Sequence, residues 1–155
     1  MSIRHLDKLF APTSVAVFGA SERPGRVGTT VWRNLHGQFT GRLYPVNPKH
    51  RTLDGEKAYA SVQSLPEAPD LAVICTPADT VVKLIAQLGE RGTRAAIVVT
   101  AGLDKATKQA MLDAARVHTL RILGPNCIGL LVPHLGLNAS FAHIGALPGE
   151  LAFVS

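Results

Sequence analysis

Aromatic residues are few in this sequence, 5% of 155 positions, and Val, Ala, Leu and Ile dominate a hydrophobic share of 46%. That composition suits an interior in which parallel strands are covered by helices. Cysteine is also scarce: Cys75 and Cys127 stand far apart in apolar surroundings, without the spacing of a metal site. Both are expected to be reduced thiols of a cytoplasmic protein. No stretch approaches the roughly 18 apolar residues of a membrane span. The opening Met-Ser-Ile-Arg-His-Leu-Asp has no apolar region of a targeting peptide, so neither a membrane nor an export route is expected.

Runs of like charge are missing too. Lys and Arg total 16 against 11 Asp and Glu, a net charge of +5, yet the basic residues are scattered singly from Arg4 to Arg121. A nucleic-acid stripe is therefore not expected, and a small polyanionic ligand suits the balance as well. The histidines His5, His36, His50, His118, His134 and His143 show no paired zinc spacing. They read as surface residues, with His134 and His143 open as rim groups. No Ser-His-Asp order and no paired catalytic carboxylates stand out. Gly25 to Gly28 is not followed by the Lys-Ser or Lys-Thr of a nucleotide P-loop. The sequence reads as a binding platform without a reaction centre of its own.

What is present is a repeated order of apolar run, loop and helix, in a length that suits one core. Val15-Ala16-Val17-Phe18 is a continuous apolar run that ends in the small residues Gly19-Ala20-Ser21, the pattern of a buried strand feeding a loop. From Arg26 to His36 the spacing of Val27, Val31 and Leu35 predicts a helix with one inner face. Leu43 to Val46 predicts a short strand that stops at Asn47-Pro48-Lys49, and Pro45 favours a sheet edge or a strand end. Residues 50–69, with Asp54-Gly55, read as a loop holding at most a small helical turn.

Leu71 to Cys75 predicts another buried strand. Thr76-Pro77-Ala78-Asp79 starts a helix, with Thr76 as its cap and Val81, Leu84, Ile85 and Leu88 as its inner stripe. Ala95 to Val99 is a further strand, Thr100-Ala101-Gly102-Leu103 its exit loop, and Lys105 to His118 the next helix. Arg121-Ile122-Leu123 then leads into Gly124-Pro125-Asn126-Cys127-Ile128-Gly129. Units of this kind predict parallel strands joined by right-handed crossovers. The expected fold is α/β: a Rossmann-like, doubly wound parallel sheet in three layers, forming a single domain over residues 1–155. Leu137 to Phe141 and Leu151 to Val154 look like two more strands. The strand-like end leads us to expect the N-terminal piece of a longer protein.

The first loop carries the chemistry most plainly. Gly19-Ala20-Ser21 followed by Gly25 and Gly28 is a stretched form of the dinucleotide fingerprint, in which small residues let the backbone approach a phosphate. Arg26 and Val27 would open the helix whose N-terminal amides face that phosphate. The bland alternative is a tight turn whose glycines only relieve crowding between strand and helix.

A site for NAD usually places an acidic residue at the end of the second strand, for the ribose hydroxyls. Here Asn47, Pro48 and Lys49 stand there, and a lysine attracts a 2′- or 3′-phosphate, which leaves NADP or coenzyme A. As a plain alternative, Lys49 is a solvated loop residue. In an open α/β sheet the loops 19–28, 47–49, 75–79, 100–103 and 124–129 would line one rim beyond the strand ends. Asn126 and Cys127 form a compact polar loop suited to a thioester or pantetheine end. Cys127 reads as a small packed thiol and not as a nucleophile, because no histidine lies within local reach.

Five segments together carry a family resemblance: Ser14 to Ser21, Leu43 to Lys49, Asp70 to Pro77, Leu123 to Gly129 and Gly136 to Phe141. In order and spacing they resemble the CoA-binding domain of NDP-forming acyl-CoA synthetases, a family that includes ADP-forming acetate-CoA ligases and, more distantly, the alpha subunit of succinyl-CoA synthetase. The resemblance implies a CoA or acyl-CoA ligand whose phosphates lie over Gly19, Ser21 and the Gly25 to Gly28 turn, with Lys49 near the ribose phosphate. It places Thr76 and Pro77 beside the adenine or ribose, Thr100 and Ala101 along the pantetheine arm, and Asn126 with Cys127 at the thiol end.

In such ligases an acyl phosphate reacts with the CoA thiol, and a histidine of a later domain carries the phosphoryl group to ADP. The resemblance therefore implies a piece that binds CoA and relies on downstream domains for turnover. A second branch of the same resemblance is the bacterial protein lysine acetyltransferases, in which the ligase-like region serves binding or regulation. A stand-alone CoA-binding protein and an NADP-linked oxidoreductase domain are the remaining alternatives.

Overall fold

Short apolar runs rich in Val, Ile and Ala become strands here because both of their faces are covered. The computed structural model describes residues 3–150. In chain order it shows α1 (Leu6–Phe10), β1 (Ser14–Phe18), α2 (Val27–His36), β2 (Arg42–Val46), β3 (Thr52–Leu53) and β4 (Glu56–Lys57). β5 (Leu71–Ile74), α3 (Val81–Arg91), β6 (Ala95–Val98), α4 (Lys105–Val117) and β7 (Arg121–Leu123) follow, and β8 (Gly129–Val132) and β9 (Leu137–Ser140) come last. Five strands form one sheet in the order β2-β1-β5-β6-β7, each pair parallel.

Alternate residues of each strand feed opposite layers. Val15 and Val17 pack with Val31, Trp32 and Leu35 of α2. Ala16 and Phe18 pack with Val81, Ile85 and Leu88 of α3 and Met111 of α4. The domain is thus a Rossmann-like, doubly wound α/β sandwich with helices on both faces, as the repeated units predict. No helix among the described residues is long and apolar enough to cross a membrane.

Several local readings need correction. Val27 is 43% exposed and stands outside the core stripe of α2, which Val31, Trp32 and Leu35 supply. Thr76 is no helix cap: its hydroxyl accepts a hydrogen bond from Thr80 Oγ1 at 2.7 Å, and the chain enters α3 through a 3-10 turn at Ala78–Thr80 that has no side-chain cap. Leu84 is only half-buried, beside the fully buried Val81, Ile85 and Leu88.

Residues 50–69 are not plain loop. β3 and β4 form a two-residue antiparallel hairpin turned by Asp54 and Gly55, both at positive φ (46° and 84°). Left-handed geometry at both central residues is the turn that matches the twist of a hairpin. β9 confirms the strand expected from Leu137, but its antiparallel partner β8 was not expected. Asn34 fastens this second hairpin to α2 by donating from Nδ2 to the carbonyls of Ser140 (2.8 Å) and Ala142 (3.0 Å). The strand expected at Leu151 to Val154 lies outside the described residues.

Opposite the strand C-termini, Asp70 ties the sheet together. Its carboxylate accepts from the Thr13 amide and hydroxyl, both at 2.9 Å, and pairs with Lys8 Nζ at 3.0 Å. Burial pushes the Asp70 pKa up, but these hydrogen bonds and the Lys8 charge outweigh it and hold the group below its ordinary value. A depressed folded-state pKa contributes stability above the unfolded value, and that stability is lost as pH falls through the folded one. Asp70→Asn should therefore cost about 1–3 kcal/mol at neutral pH. Urea unfolding of both proteins should show the gap closing as pH falls below the ordinary carboxylate range. A gap that is constant with pH would deny Asp70 its charged role.

Candidate functional site

The site begins where β1 ends. Gly19 turns with φ +85°, and a Cβ built there would meet the Cys75 carbonyl oxygen at 3.0 Å. Its N–H donates to the Val46 carbonyl at 3.0 Å, so the loop is stitched to the end of β2. Asn47 repeats that stitch by donating from Nδ2 to the Ala20 carbonyl at 2.8 Å, while its Oδ1 accepts from the Lys49 amide at 3.0 Å. Both polar atoms of the Asn47 side chain are thus engaged in holding the loop. Ala20 is fully buried beneath it.

Farther along, the Ser21 hydroxyl accepts from the Arg23 amide at 3.0 Å, and the Thr29 hydroxyl donates to the Arg23 carbonyl at 2.6 Å. Arg26 precedes α2 and makes no side-chain cap bond, so no side chain blocks the first-turn amides, the ordinary docking point of an anion. Gly28 is pressed on the loop: a Cβ there would lie 2.0 Å from the Gly19 carbonyl oxygen. A second buttress comes from the first hairpin, where Asp54 N–H donates to Glu22 Oε1 at 2.7 Å and Trp32 Nε1 donates to Asp54 Oδ2 at 2.8 Å.

These elements enclose a cavity of about 960 Å³ beyond the C-termini of β1, β2 and β5. Gly19, Ser21, Gly25, Arg26, Val27, Gly28, Asn47, Pro48, Lys49, Thr76 and Pro77 all line it. This is the switch point of the sheet, between β1 and β5, on either side of which the chain runs in opposite directions across the sheet, and ligand crevices of open α/β sheets form at such points. The wall also includes residues that sequence reasoning passed over: Arg23, His50, residues 60–63, and Thr80, Lys83, Leu84 and Gln87 from α3 and its lead-in turn. Among the described residues, four Lys and Arg side chains (Arg23, Arg26, Lys49, Lys83) border the cavity, and no Asp or Glu does.

Thr100, Ala101, Asn126 and Cys127 do not line the cavity, contrary to a single shared rim. They continue along the same end of the sheet. Thr100 Oγ1 donates to the Thr76 carbonyl at 2.7 Å, and the Asn126 amide donates to the Thr100 carbonyl at 3.1 Å. From β1 to β7 there are three strand steps, so the Asn126 loop sits about 14 Å from the glycine loop. Asn126 is exposed. Cys127 turns its thiol inward, to the carbonyls of Val98 (3.5 Å) and Leu123 (3.9 Å).

Burial, helped by the nearby Cys127, pushes the Cys75 thiol up to about 12, and burial raises Cys127 as well. Neither carries the lowered pKa of a reactive thiolate. Both are free cysteines, as expected.

Comparison with known proteins gives a consistent family. A family model described as a CoA binding domain matches residues 13–133. The chain is 36% identical over 156 residues to acetate-CoA ligase (ADP-forming) I of Archaeoglobus fulgidus, covering 97% of this chain and 23% of that protein. It is 36% identical to the alpha subunit of acetate-CoA ligase (ADP-forming) II of Pyrococcus furiosus, over 97% of this chain and 34% of that subunit. Among solved structures, dinucleotide forming acetyl-coenzyme A synthetase 1 of Ca. Korarchaeum cryptofilum, in complex with phosphate and ADP, superposes with a TM-score of 0.84 at 37% identity. That match covers 88% of this chain and 30% of the other. The chain therefore spans about a quarter to a third of the length of these relatives.

Proposed function

This chain belongs to the CoA-binding domain family, and from that premise we propose that its strand-end cavity holds the nucleotide half of coenzyme A or an acyl-CoA, as the N-terminal or alpha part of an ADP-forming acyl-CoA ligase. The charge of the cavity wall carries this reading: among the described residues, four Lys and Arg side chains and no carboxylate. CoA brings a pyrophosphate and a ribose 3′-phosphate, and such groups are held by charge-assisted hydrogen bonds and focused positive potential. The pyrophosphate lies over Gly19, Ser21 and the α2 N-terminus, where the glycines admit the backbone amides. Lys49, at the exit of β2, faces the ribose phosphate.

With Thr76 and Pro77 beside the adenine or ribose, the pantetheine arm runs along Thr100 and Ala101 and ends its thiol near Asn126. In such a ligase an acid, CoA and ATP give acyl-CoA, ADP and phosphate. The share of this chain is to bind CoA and present its sulfur; the phosphoryl chemistry belongs to other parts of the enzyme.

Calorimetric titration with CoA, dephospho-CoA, NADP and NAD at one salt concentration tests the reading. CoA is expected to bind most tightly; preference for NADP, or no CoA binding, overturns it. Lys49→Ala should weaken CoA by about tenfold and dephospho-CoA by less than about twofold, because only CoA offers the extra phosphate. Equal losses for both ligands would remove that role from Lys49.

A further inference from the structure

Far from the strand-end cavity, arginines meet at the outer edge of the sheet. Among the described residues β7 pairs only with β6. Its first residue, Arg121, stands level with Ala95 at the start of β6, at the end of the sheet opposite the glycine loop. Arg121 Nε donates to the Arg4 carbonyl at 3.0 Å and so clips the segment before α1 onto β7. Arg116 reaches the same place from the last turn of α4. With Thr119, Leu120 and Ile122, these three arginines line a second cavity of about 360 Å³, and no Asp or Glu among the described residues borders it. We propose that this pocket is an anion site of its own, and that it takes a phosphoryl group.

Guanidinium groups gathered on one small pocket repel each other until an anion comes between them. Arg4, Arg116 and Arg121 come from three different parts of the chain: the segment before α1, α4 and β7. Donors arriving from several directions suit the terminal oxygens of a tetrahedral phosphoryl group, whereas the fork of one guanidinium already satisfies a planar carboxylate. Arg116 pairs with Asp113 at 3.3 Å, and both side chains are exposed. Exposed pairs of this kind are weak, so a ligand exchanges for Asp113 at little cost.

The C-terminal end of a helix would ordinarily repel an anion, but the end of α4 is closed on itself. The amides of His118 and Leu120 donate to the Ala115 carbonyl at 3.2 and 3.0 Å, and the Thr119 amide donates to the Arg116 carbonyl at 3.1 Å. The same turn, with Thr119 at φ 52°, leaves Thr119 exposed at the rim, its hydroxyl 3.5 Å from His5 Nε2. The backbone adds a donor. The Arg121 N–H donates to the Arg94 carbonyl at 2.8 Å and so faces β6, which turns the N–H of Ile122 to the open edge. No aromatic ring lines the pocket among the described residues, so a nucleoside finds nothing to stack on. The chemistry recognised is the phosphoryl group itself, free or at the end of a larger molecule.

The test titrates the full chain with pyrophosphate, ADP and citrate at low salt and follows the amide NMR spectrum. Signals of Thr119 to Ile122 report this pocket and those of Gly19 to Gly28 the strand-end cavity, so the two are read apart. Pyrophosphate should shift Thr119, Leu120 and Ile122 to saturation. ADP should bind here no more tightly than pyrophosphate, and citrate, of similar charge, at least about fivefold more weakly. Arg116→Gln should weaken pyrophosphate about fivefold at these signals and leave the response of the glycine loop within about twofold. The Arg116 side chain is 76% exposed, and a thermal melt checks that the variant folds. Arg121→Gln is the second variant, expected to lose at least as much. Shifts that never saturate, unchanged affinity in both variants, equal binding of citrate or tighter binding of ADP would each overturn the proposal. CoA binding, present or absent, does not bear on it.

Discussion

Gly28→Val is expected to abolish CoA binding. The first added carbon would lie 2.0 Å from the Gly19 carbonyl oxygen and 2.9 Å from its carbon, and both are backbone atoms that no rotamer change can move. Gly19 has little room to retreat: its N–H is bonded to the Val46 carbonyl, and the Cys75 carbonyl stands so close that even a Cβ built on Gly19 would lie 3.0 Å from its oxygen. The start of α2 must move instead, carrying its first-turn amides off the phosphate position and straining the Thr29 bond to Arg23.

Overpacking of this kind typically costs about 1–3 kcal/mol, so the domain should still fold with a lowered denaturation midpoint. Gly25→Ala is the matched control. A Cβ there meets nothing within 4 Å, and only its φ of +77° is unfavourable, a cost of roughly 1–2 kcal/mol. Calorimetry on both variants, with urea unfolding to establish the fold, separates the two. A folded Gly28→Val protein with undiminished CoA affinity would mean that the phosphates lie elsewhere.

The strands of the main sheet were legible because burial on both faces writes a continuous apolar run, such as Val15 to Phe18 or Leu71 to Ile74, with no need for a period. β3 and β4 have two residues each, too few for any pattern, so Asp54-Gly55 could be read as a turn but not as a hairpin. β8 went unread because its partner lies beyond a 3-10 turn at Pro133–Leu135, and its residues are only half-buried.

The candidate site was legible where the signal is local. The glycine loop and Lys49 follow directly from the residues after β1 and β2. The α3 stripe was not legible, since Lys83 and Gln87 at helical spacing look like any solvated face. Only the tertiary placement of residues 60–63 turns that face into a wall. The expectation of a single rim failed for a related reason. Residue patterns identify strands, but the order β2-β1-β5-β6-β7 is what places the cavity between β2 and β5 and leaves the Thr100 and Asn126 loops farther along.

Trp32→Ala should produce the largest loss of stability, and through it a loss of ligand affinity. The ring is fully buried among Val15, Val17 and Leu35 and stacks on His36 with centroids 5.0 Å apart. Truncating a buried aromatic side chain typically costs about 3–5 kcal/mol, set against a total of about 5–15 kcal/mol for an ordinary domain. The indole also donates to Asp54 Oδ2, and the Asp54 amide in turn donates to Glu22 of the glycine loop. Removing the ring frees the hairpin that braces that loop.

Trp32→Phe separates the two effects, because it keeps most of the packing and deletes the N–H. It should cost about 1 kcal/mol and still weaken CoA, since the brace is cut while the core holds. Trp32 is the sole tryptophan, so unfolding of the variants is best followed by far-ultraviolet circular dichroism in urea, alongside CoA titration. If Trp32→Phe retains full CoA affinity, the hairpin stabilises the fold without positioning the phosphate loop. If its affinity falls while its midpoint barely moves, the chain of bonds from Trp32 through Asp54 to Glu22 holds the loop in its binding geometry.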